Sequence, residues 1–359
     1  MAWTRQAGRA SPGVVWRDGV EDRTIRLADG RTAGYADYGR PQATAVLWCH
    51  GGPGSRAEPA HLAPQAMRAG LRIIGIDRPG YGLSTLRPGR SIGDWIPDAL
   101  AVADHLAIDR FVAVGASTGG AYALALAALV PERVLGVVAC CSMTDARWPE
   151  GRATMSRAHT HAVWEAPDRA AALAAAIQAH GENGSKMRGE GMAAALAPSD
   201  LALFREPGWV REAPAAFRTM FAQGLEGYTD DRLADGPGWV SFDVSAIRCP
   251  VTVLHGKCDR MVDVIHAYHT AELVTGAELL IFDDLGHFSI TTEVVPAIGG
   301  LLQPSGARAS WSGNNHGELG KVRYSARSPE SPQQRHRQRV RAPRRFARRS
   351  ERRDCGYKT

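Results

Sequence analysis

Hydrophobic residues recur along the chain in short unbroken runs: Ala45–Cys49, Leu71–Ile76, Phe111–Ala116, Val134–Cys141, Val251–His255 and Glu278–Phe282. Runs of this length, apolar at consecutive rather than alternate positions, predict strands covered on both faces. Between them the apolar positions repeat at helical spacing. This predicts helices over Leu62–Ala69, from an Asp94 N-cap to about Leu106, over Gly119–Leu129, near Ile265–Val274 and near Thr292–Leu302. Ahead of these, Thr24–Leu27 and Thr32–Tyr38 flank Ala28-Asp29-Gly30 and predict a β-hairpin. Strand and helix in alternation predict the α/β class, with a mostly parallel sheet flanked by helices.

The alternation stops between 143 and 239. That stretch is rich in alanine, helical in pattern and broken by Gly and Pro, with no strand-like run. It predicts a helical cap inserted between two sheet strands. The expected organisation is therefore an irregular segment 1–22, a first core part 23–142, the cap 143–239, a second core part 240–302 and a basic tail 303–359.

Charge sharpens the last boundary. The chain of 359 residues carries a net +6, but the segment from Gln303 onward holds 15 Lys/Arg against 4 Asp/Glu. The tail is thus +11 and the rest −5. A segment rich in Arg, Ser, Gln and Pro cannot bury enough apolar surface to order itself. We read it as a solvated extension rather than a nucleic-acid arm, and expect no nucleic-acid partner. The six cysteines form no C-x-x-C pair, which predicts reduced thiols in a cytoplasmic protein. The start lacks a signal-peptide pattern, and the longest apolar run, near Ala121–Val130, falls short of the about 20 residues needed to span a bilayer.

The chemistry gathers where the predicted strands end, as it does in open α/β sheets. Gly115-Ala116-Ser117-Thr118-Gly119 lies between an apolar strand and a helix, the layout of a nucleophile elbow. A serine hydroxyl needs a base and a group to orient that base. His287 follows the strand Glu278–Phe282, and Asp259 follows Val251–His255. Asp283, Asp284 and Asp145 compete for the acid role; the first two are close to His287 in sequence and suit loop hydrogen bonds better. An oxyanion requires two N–H donors. Thr118, after the nucleophile, offers one; Gly52, in the loop His50-Gly51-Gly52-Pro53-Gly54-Ser55, offers the other. His50 is expected to brace that loop.

Five segments together, His50–Ser55, Asp77-Arg78-Pro79-Gly80-Tyr81-Gly82-Leu83-Ser84, Gly115–Gly120, Gly256-Lys257-Cys258-Asp259 and Gly286-His287, resemble the α/β-hydrolase superfamily over about Thr24 to Leu302. The His-Gly-Gly-Pro-Gly loop is similar to that of proline iminopeptidases and related lidded hydrolases. The resemblance implies an α/β-hydrolase fold and a hydrolase using neither metal nor cofactor, with an acyl-enzyme on Ser117. Three positions depart from relatives: Ala116 replaces a common His, Thr118 a Trp typical of proline iminopeptidases, and Asp263 a common Pro.

The expected activity is hydrolysis of a small to medium carboxylic ester or related acyl bond, on a small-molecule substrate. An aminopeptidase or amidase would need Glu206 or Glu212 to hold an amine. C–C hydrolysis and perhydrolysis use the same triad, and a ligand-binding pseudoenzyme is the non-enzyme alternative. The pairs His159/His161 and His266/His269 lack a third ligand and read as surface or core histidines. Cys140 and Cys141 read as packing residues. Of Trp148, Trp164, Phe204, Trp209, Phe217, Phe221 and Trp239, two or three are expected to face substrate.

Overall fold

A computed structural model describes residues 22–155, 158–187 and 196–303. The N-terminal segment and nearly all of the basic tail lie outside the described residues. Eight strands form one sheet: β1 Asp22–Arg26, β2 Thr32–Tyr38, β3 Thr44–Cys49, β4 Leu71–Ile76, β5 Phe111–Ala116, β6 Val134–Cys140, β7 Val251–Gly256 and β8 Glu278–Phe282. Their order is β1-β2-β4-β3-β5-β6-β7-β8. The β1–β2 and β2–β4 pairings are antiparallel, and all pairings from β4 through β8 are parallel.

The helices are α1 Ala63–Arg68, α2 Ile96–His105, α3 Gly119–Leu129, α4 Pro149–Thr154, α5 Ala158–Trp164, α6 Arg169–His180, α7 Pro198–Leu203, α8 Pro207–Met220, α9 Glu226–Asp235, α10 Ile265–Leu273 and α11 Val294–Leu301. The unbroken strand runs are explained by two cores. Leu47, Phe111 and Ala113 point to one face, beneath α2, α3 and α10. Val46, Trp48, Val112 and Val114 point to the other, beneath α1 and α11. Successive side chains alternate between faces, so a strand apolar at every position feeds both layers.

Two expectations need correction. Asp94 does not cap α2. A 3-10 turn, Gly93–Trp95, leads into the helix, and the Asp94 carboxylate instead accepts from Ser91 N–H at 2.8 Å and Ser91 Oγ–H at 2.7 Å. A local Asx-type loop bond has won over the cap. Cys49, Cys140, Cys141 and Cys249 are free, but Cys258 is disulfide-bonded. Spacing in sequence carries no information on which thiols meet in space.

Every described element between β6 and β7 is helical. These helices share a small core of Val163, Ala172, Ala176, Met187, Phe221, Leu225 and Tyr228, joined by Tyr81 from the loop after β4. A polar cluster makes the second attachment. Asp231 of α9 accepts from Arg78 Nη2 at 2.6 Å, Arg90 Nη2 at 2.5 Å, Tyr81 Oη at 2.9 Å and Tyr122 Oη at 2.9 Å. Asp231, Arg78 and Tyr122 are fully buried and Arg90 is nearly so. Replacing Asp231 with Ala leaves two guanidinium groups buried without their carboxylate. The expected loss is about 3 to 5 kcal/mol, read as a lower midpoint in urea unfolding, while Asp94→Ala on the surface should cost far less.

Candidate active site

The rim of the sheet is where strands β3, β5, β6, β7 and β8 end, and the chain makes its tightest turn at one of those ends. β5 stops at Ala116, Ser117 adopts a φ of 53°, and α3 begins at Gly119. A residue with a Cβ is strained in that region. The turn survives because its neighbours are glycines. A Cβ on Gly115 would fall 2.1 Å from the Gly119 carbonyl oxygen, and one on Gly119 would fall 1.9 Å from the Cys49 oxygen. The G-x-S-x-G pattern is therefore a packing requirement between β5, β3 and α3.

Asp259 follows β7 and His287 follows β8. His287 Nδ1 donates to Asp259 Oδ2 at 2.7 Å, and Asp259 Oδ1 accepts from the N–H groups of Met261 and Val262 at 2.8 and 2.9 Å. Burial opposes the carboxylate's charge, but His287 and His255 outweigh it and hold Asp259 well below the usual range. Burial also opposes an imidazolium at His287, yet the facing Asp259 charge raises its pKa well above 6.5. The rival acids are engaged elsewhere: Asp283 with Lys257 at 2.5 Å, and Asp145 with Arg147 at 2.5 Å and the Trp239 N–H. Asp284 is exposed.

Ser117 and His287 line the same cavity, although the hydrogen bonds among the described residues do not include one between them. The His287 imidazole also meets the Cys141 thiol. Unliganded sites often hold such bonds long until substrate closes them. The cavity is about 150 Å³. Its apolar wall includes Phe204, Trp209, Phe217, Met220, Met261 and Phe288. Phe204 stacks on Trp209 with ring centres 4.8 Å apart, and both meet Phe288 edge-on. Of the seven aromatic candidates in the insertion, Phe204, Trp209 and Phe217 thus face the cavity. Trp148 stacks on His269 instead.

Gly52 and Thr118 lie against each other: a Cβ on Gly52 would sit 2.8 Å from Thr118 Oγ1 and 3.2 Å from Arg232 Nη2. Their loop is held from below. The Arg78 guanidinium donates to the carbonyls of His50 and Gly51 at 2.5 and 2.7 Å, and the Arg78 N–H donates to His50 Nε2 at 3.1 Å. His50 Nδ1 meets the Gly51 carbonyl at 2.7 Å. Burial and the adjacent Arg78 charge push the His50 pKa well below 6.5, so the ring is neutral and braces the loop.

Four further residues shape the site without a local sequence signal. Glu58 accepts from the Gly51 N–H at 2.9 Å and from Trp48 Nε1 at 2.9 Å. Asp200 of α7 accepts from the N–H groups of Phe288 and Ser289, tying the insertion to the His287 loop. Asp231 holds Arg78, and Arg232 donates to Thr118 Oγ1 while pairing with Asp235. For Asp200, Asp231 and the Arg232–Thr118 bond the partner lies far away in sequence; Glu58 reaches residues only 7 and 10 positions back. His266 is a core residue, bonded to the Thr144 N–H and the Thr154 hydroxyl. His161 sits 3.9 Å from Glu165, and the His159 side chain lies outside the described residues.

The alpha/beta hydrolase fold family matches residues 44–294. The chain belongs to that family. An uncharacterized hydrolase of Bacillus subtilis is 26% identical over 286 residues, covering 76% of this chain and 94% of the relative. A 2-hydroxymuconate semialdehyde hydrolase of Pseudomonas putida is 26% identical over 268 residues, covering 73% of this chain and 86% of the relative. The solved structure of epoxide hydrolase A from Mycobacterium thermoresistibile superposes with a TM-score of 0.60 at 18% identity, covering 79% of this chain and 98% of that one. Family membership makes the protein a hydrolase. Among the described residues no helix is long and apolar enough to cross a membrane.

The electrostatics of this alpha/beta hydrolase site can be read directly by NMR titration of the imidazoles. His287 should titrate above 6.5, while His61, desolvated by burial, should titrate near 4. Asp259→Asn removes the charge facing His287 and should bring its pKa down. An unchanged His287 titration in that variant would contradict the assigned cause.

Proposed function

We propose that the protein is a serine hydrolase of carboxylic esters with a compact apolar acyl group, working through an acyl-enzyme on Ser117. One observation carries the reading: a serine held at φ 53° ahead of a helix shares an apolar cavity with a histidine bonded to a buried carboxylate. In this mechanism His287 takes the Ser117 proton as the hydroxyl attacks the carbonyl. Asp259 keeps Nδ1 protonated and compensates the imidazolium. The N–H groups of Gly52 and Thr118 hold the oxyanion, with the Arg232 guanidinium behind them. His287 then returns the proton to the leaving alcohol and later activates the water that releases the acid. Helices α4–α9 act as the cap, and Phe204, Trp209 and Phe217 select the acyl group.

The lining supports esters over the competing substrates. Among the described residues no Lys or Arg lines the cavity; its ionisable lining residues are the acids Glu58 and Glu212, the histidines His61 and His287, and Cys141. Glu58 is occupied by Gly51 and Trp48, and Glu212 pairs with Arg211 at 2.7 Å, so neither is free to hold a substrate amine. Glu206, the other acid considered, is exposed and outside the lining. A cavity of about 150 Å³ takes one benzene-sized group, which bounds the acyl portion.

On this reading Ser117→Ala lowers kcat on p-nitrophenyl esters by about 10⁵-fold or more and abolishes labelling by a fluorophosphonate probe. Undiminished turnover in that variant would overturn the mechanism. Benzoyl and butyryl esters should exceed long-chain esters and prolyl anilides in kcat/KM. Since His287 must be neutral to accept a proton and its pKa is raised, kcat/KM should fall as pH drops through a midpoint above 6.5. Asp259→Asn should move that midpoint downward and cost about 10⁴-fold in kcat.

A further inference from the structure

We propose that Cys141 and His287 form a binding site for a thiophilic divalent cation, Zn²⁺ or Cd²⁺, on the floor of the cavity. The proposal uses the geometry of the same site but holds whether or not the ester reading is right. Cys141 directly follows β6 with a φ of 43°, and its side chain lines the cavity beside Ser117 and His287. Its sulfur, an imidazole nitrogen of His287 and a carboxylate oxygen of Asp259 all lie within 4.8 Å of one another, and all three residues are buried. Two tetrahedral ligands at ordinary Zn–S and Zn–N lengths are about 3.5 Å apart, a separation inside the 4.8 Å that bounds these atoms.

Asp259 serves from outside the ligand set. It accepts from Nδ1, which leaves the other imidazole nitrogen as the ligand atom, the carboxylate–histidine–metal arrangement that orients and strengthens such ligands. Thiolate with imidazole selects Zn²⁺ or Cd²⁺ over Mg²⁺ or Ca²⁺, which require oxygen donors. On binding, a metal–sulfur and a metal–nitrogen bond form, the S–H bond breaks and its proton passes to the buffer, followed by the imidazolium proton wherever His287 is still protonated; nothing is oxidised or reduced. Water fills the open positions. The ion then occupies the nitrogen that Ser117 would use, so an occupied site does not hydrolyse esters.

The test uses the full chain and two metals. Titration with Cd²⁺ should produce a thiolate charge-transfer band in the near ultraviolet that saturates at one ion per chain. Zn²⁺ calorimetry above the His287 midpoint, in buffers of different ionisation enthalpy, should show one proton released. The band should vanish in Cys141→Ala, persist in Ser117→Ala, and weaken at least tenfold in His287→Ala. Cys141→Ser, which keeps the side-chain size, is the parallel variant should the alanine form not fold. Inhibition of the wild-type hydrolase by Zn²⁺ should follow the band, and Cys141→Ala should keep its own metal-free rate when Zn²⁺ is added. A band that survives in Cys141→Ala or Cys141→Ser, or that never forms, overturns the proposal. Loss of ester activity with retention of the band would instead count against the hydrolytic reading alone.

Discussion

The structure turns on one buried carboxylate. Asp231 receives Arg78, Arg90, Tyr81 and Tyr122 with almost no solvent access. Desolvating such a group is costly, and only multiple charged hydrogen bonds offset it. Burial alone would raise its pKa, but the Arg78 and Arg90 charges lower it far below the usual value, so it is anionic in the fold. The cluster joins three pieces of the chain: α9 of the insertion, the loop after β4, and through the Arg78 guanidinium the carbonyls of His50 and Gly51. Without Asp231 the guanidinium has no reason to stay at that depth, and the Gly51–Gly52 backbone loses its support from below.

Charge is sorted across a thin wall as a result. Arg78 holds the His50 and Gly51 carbonyls and Arg232 the Thr118 hydroxyl, while the cavity in front is lined mostly by apolar groups, with Glu58 and Glu212 as its acids. A field of that direction favours negative charge at the wall and disfavours an anionic ligand held farther out. Asp235 moderates it: burial raises its pKa to about 6 while the adjacent Arg232 opposes that rise, so this carboxylate changes charge close to neutrality. On the proposed mechanism the wall is where an oxyanion would form, and its positive backing comes from Arg78 of the loop after β4 together with Arg232 of the insertion.

The fold was largely legible because its information is local. Runs such as Phe111–Ala116 read as doubly covered strands, and the structure gives Val112 and Val114 to one core and Phe111 and Ala113 to the other. Ser117 was legible because the glycines beside it are dictated by contacts within a few residues or across one strand pair. The Tyr228–Asp235 stretch was not. Its run of Thr, Asp, Asp and Arg has the polarity of a solvated helix face, yet Thr229, Asp230, Asp231 and Arg232 are all buried. Their burial depends on Arg78, Arg90, Arg169 and Thr118, and no periodicity encodes a partner 60 to 150 positions away. Asp94 failed differently: two local hydrogen-bonding solutions were open, and the loop bond to Ser91 won.

Size and charge then act together on what the cavity can admit. The stacked Phe204–Trp209 pair against Phe288 is rigid in one direction, since Asp200 fixes the Phe288 backbone and His61 meets Trp209 edge-on at 4.7 Å. Growth of a ligand toward that side requires moving a packed aromatic cluster, which costs more than an extra methylene returns, about 0.8 kcal/mol. Growth toward Met187 and Met220 meets flexible thioethers, which repack at lower cost. The cavity is therefore anisotropic: its aromatic end sets a hard limit on a ligand's size, and its methionine end sets a soft one. Substitutions at Met187 and Met220 should accordingly retune the breadth of accepted acyl groups, whereas substitutions at Phe204 or Trp209 should change the shape that fits at all.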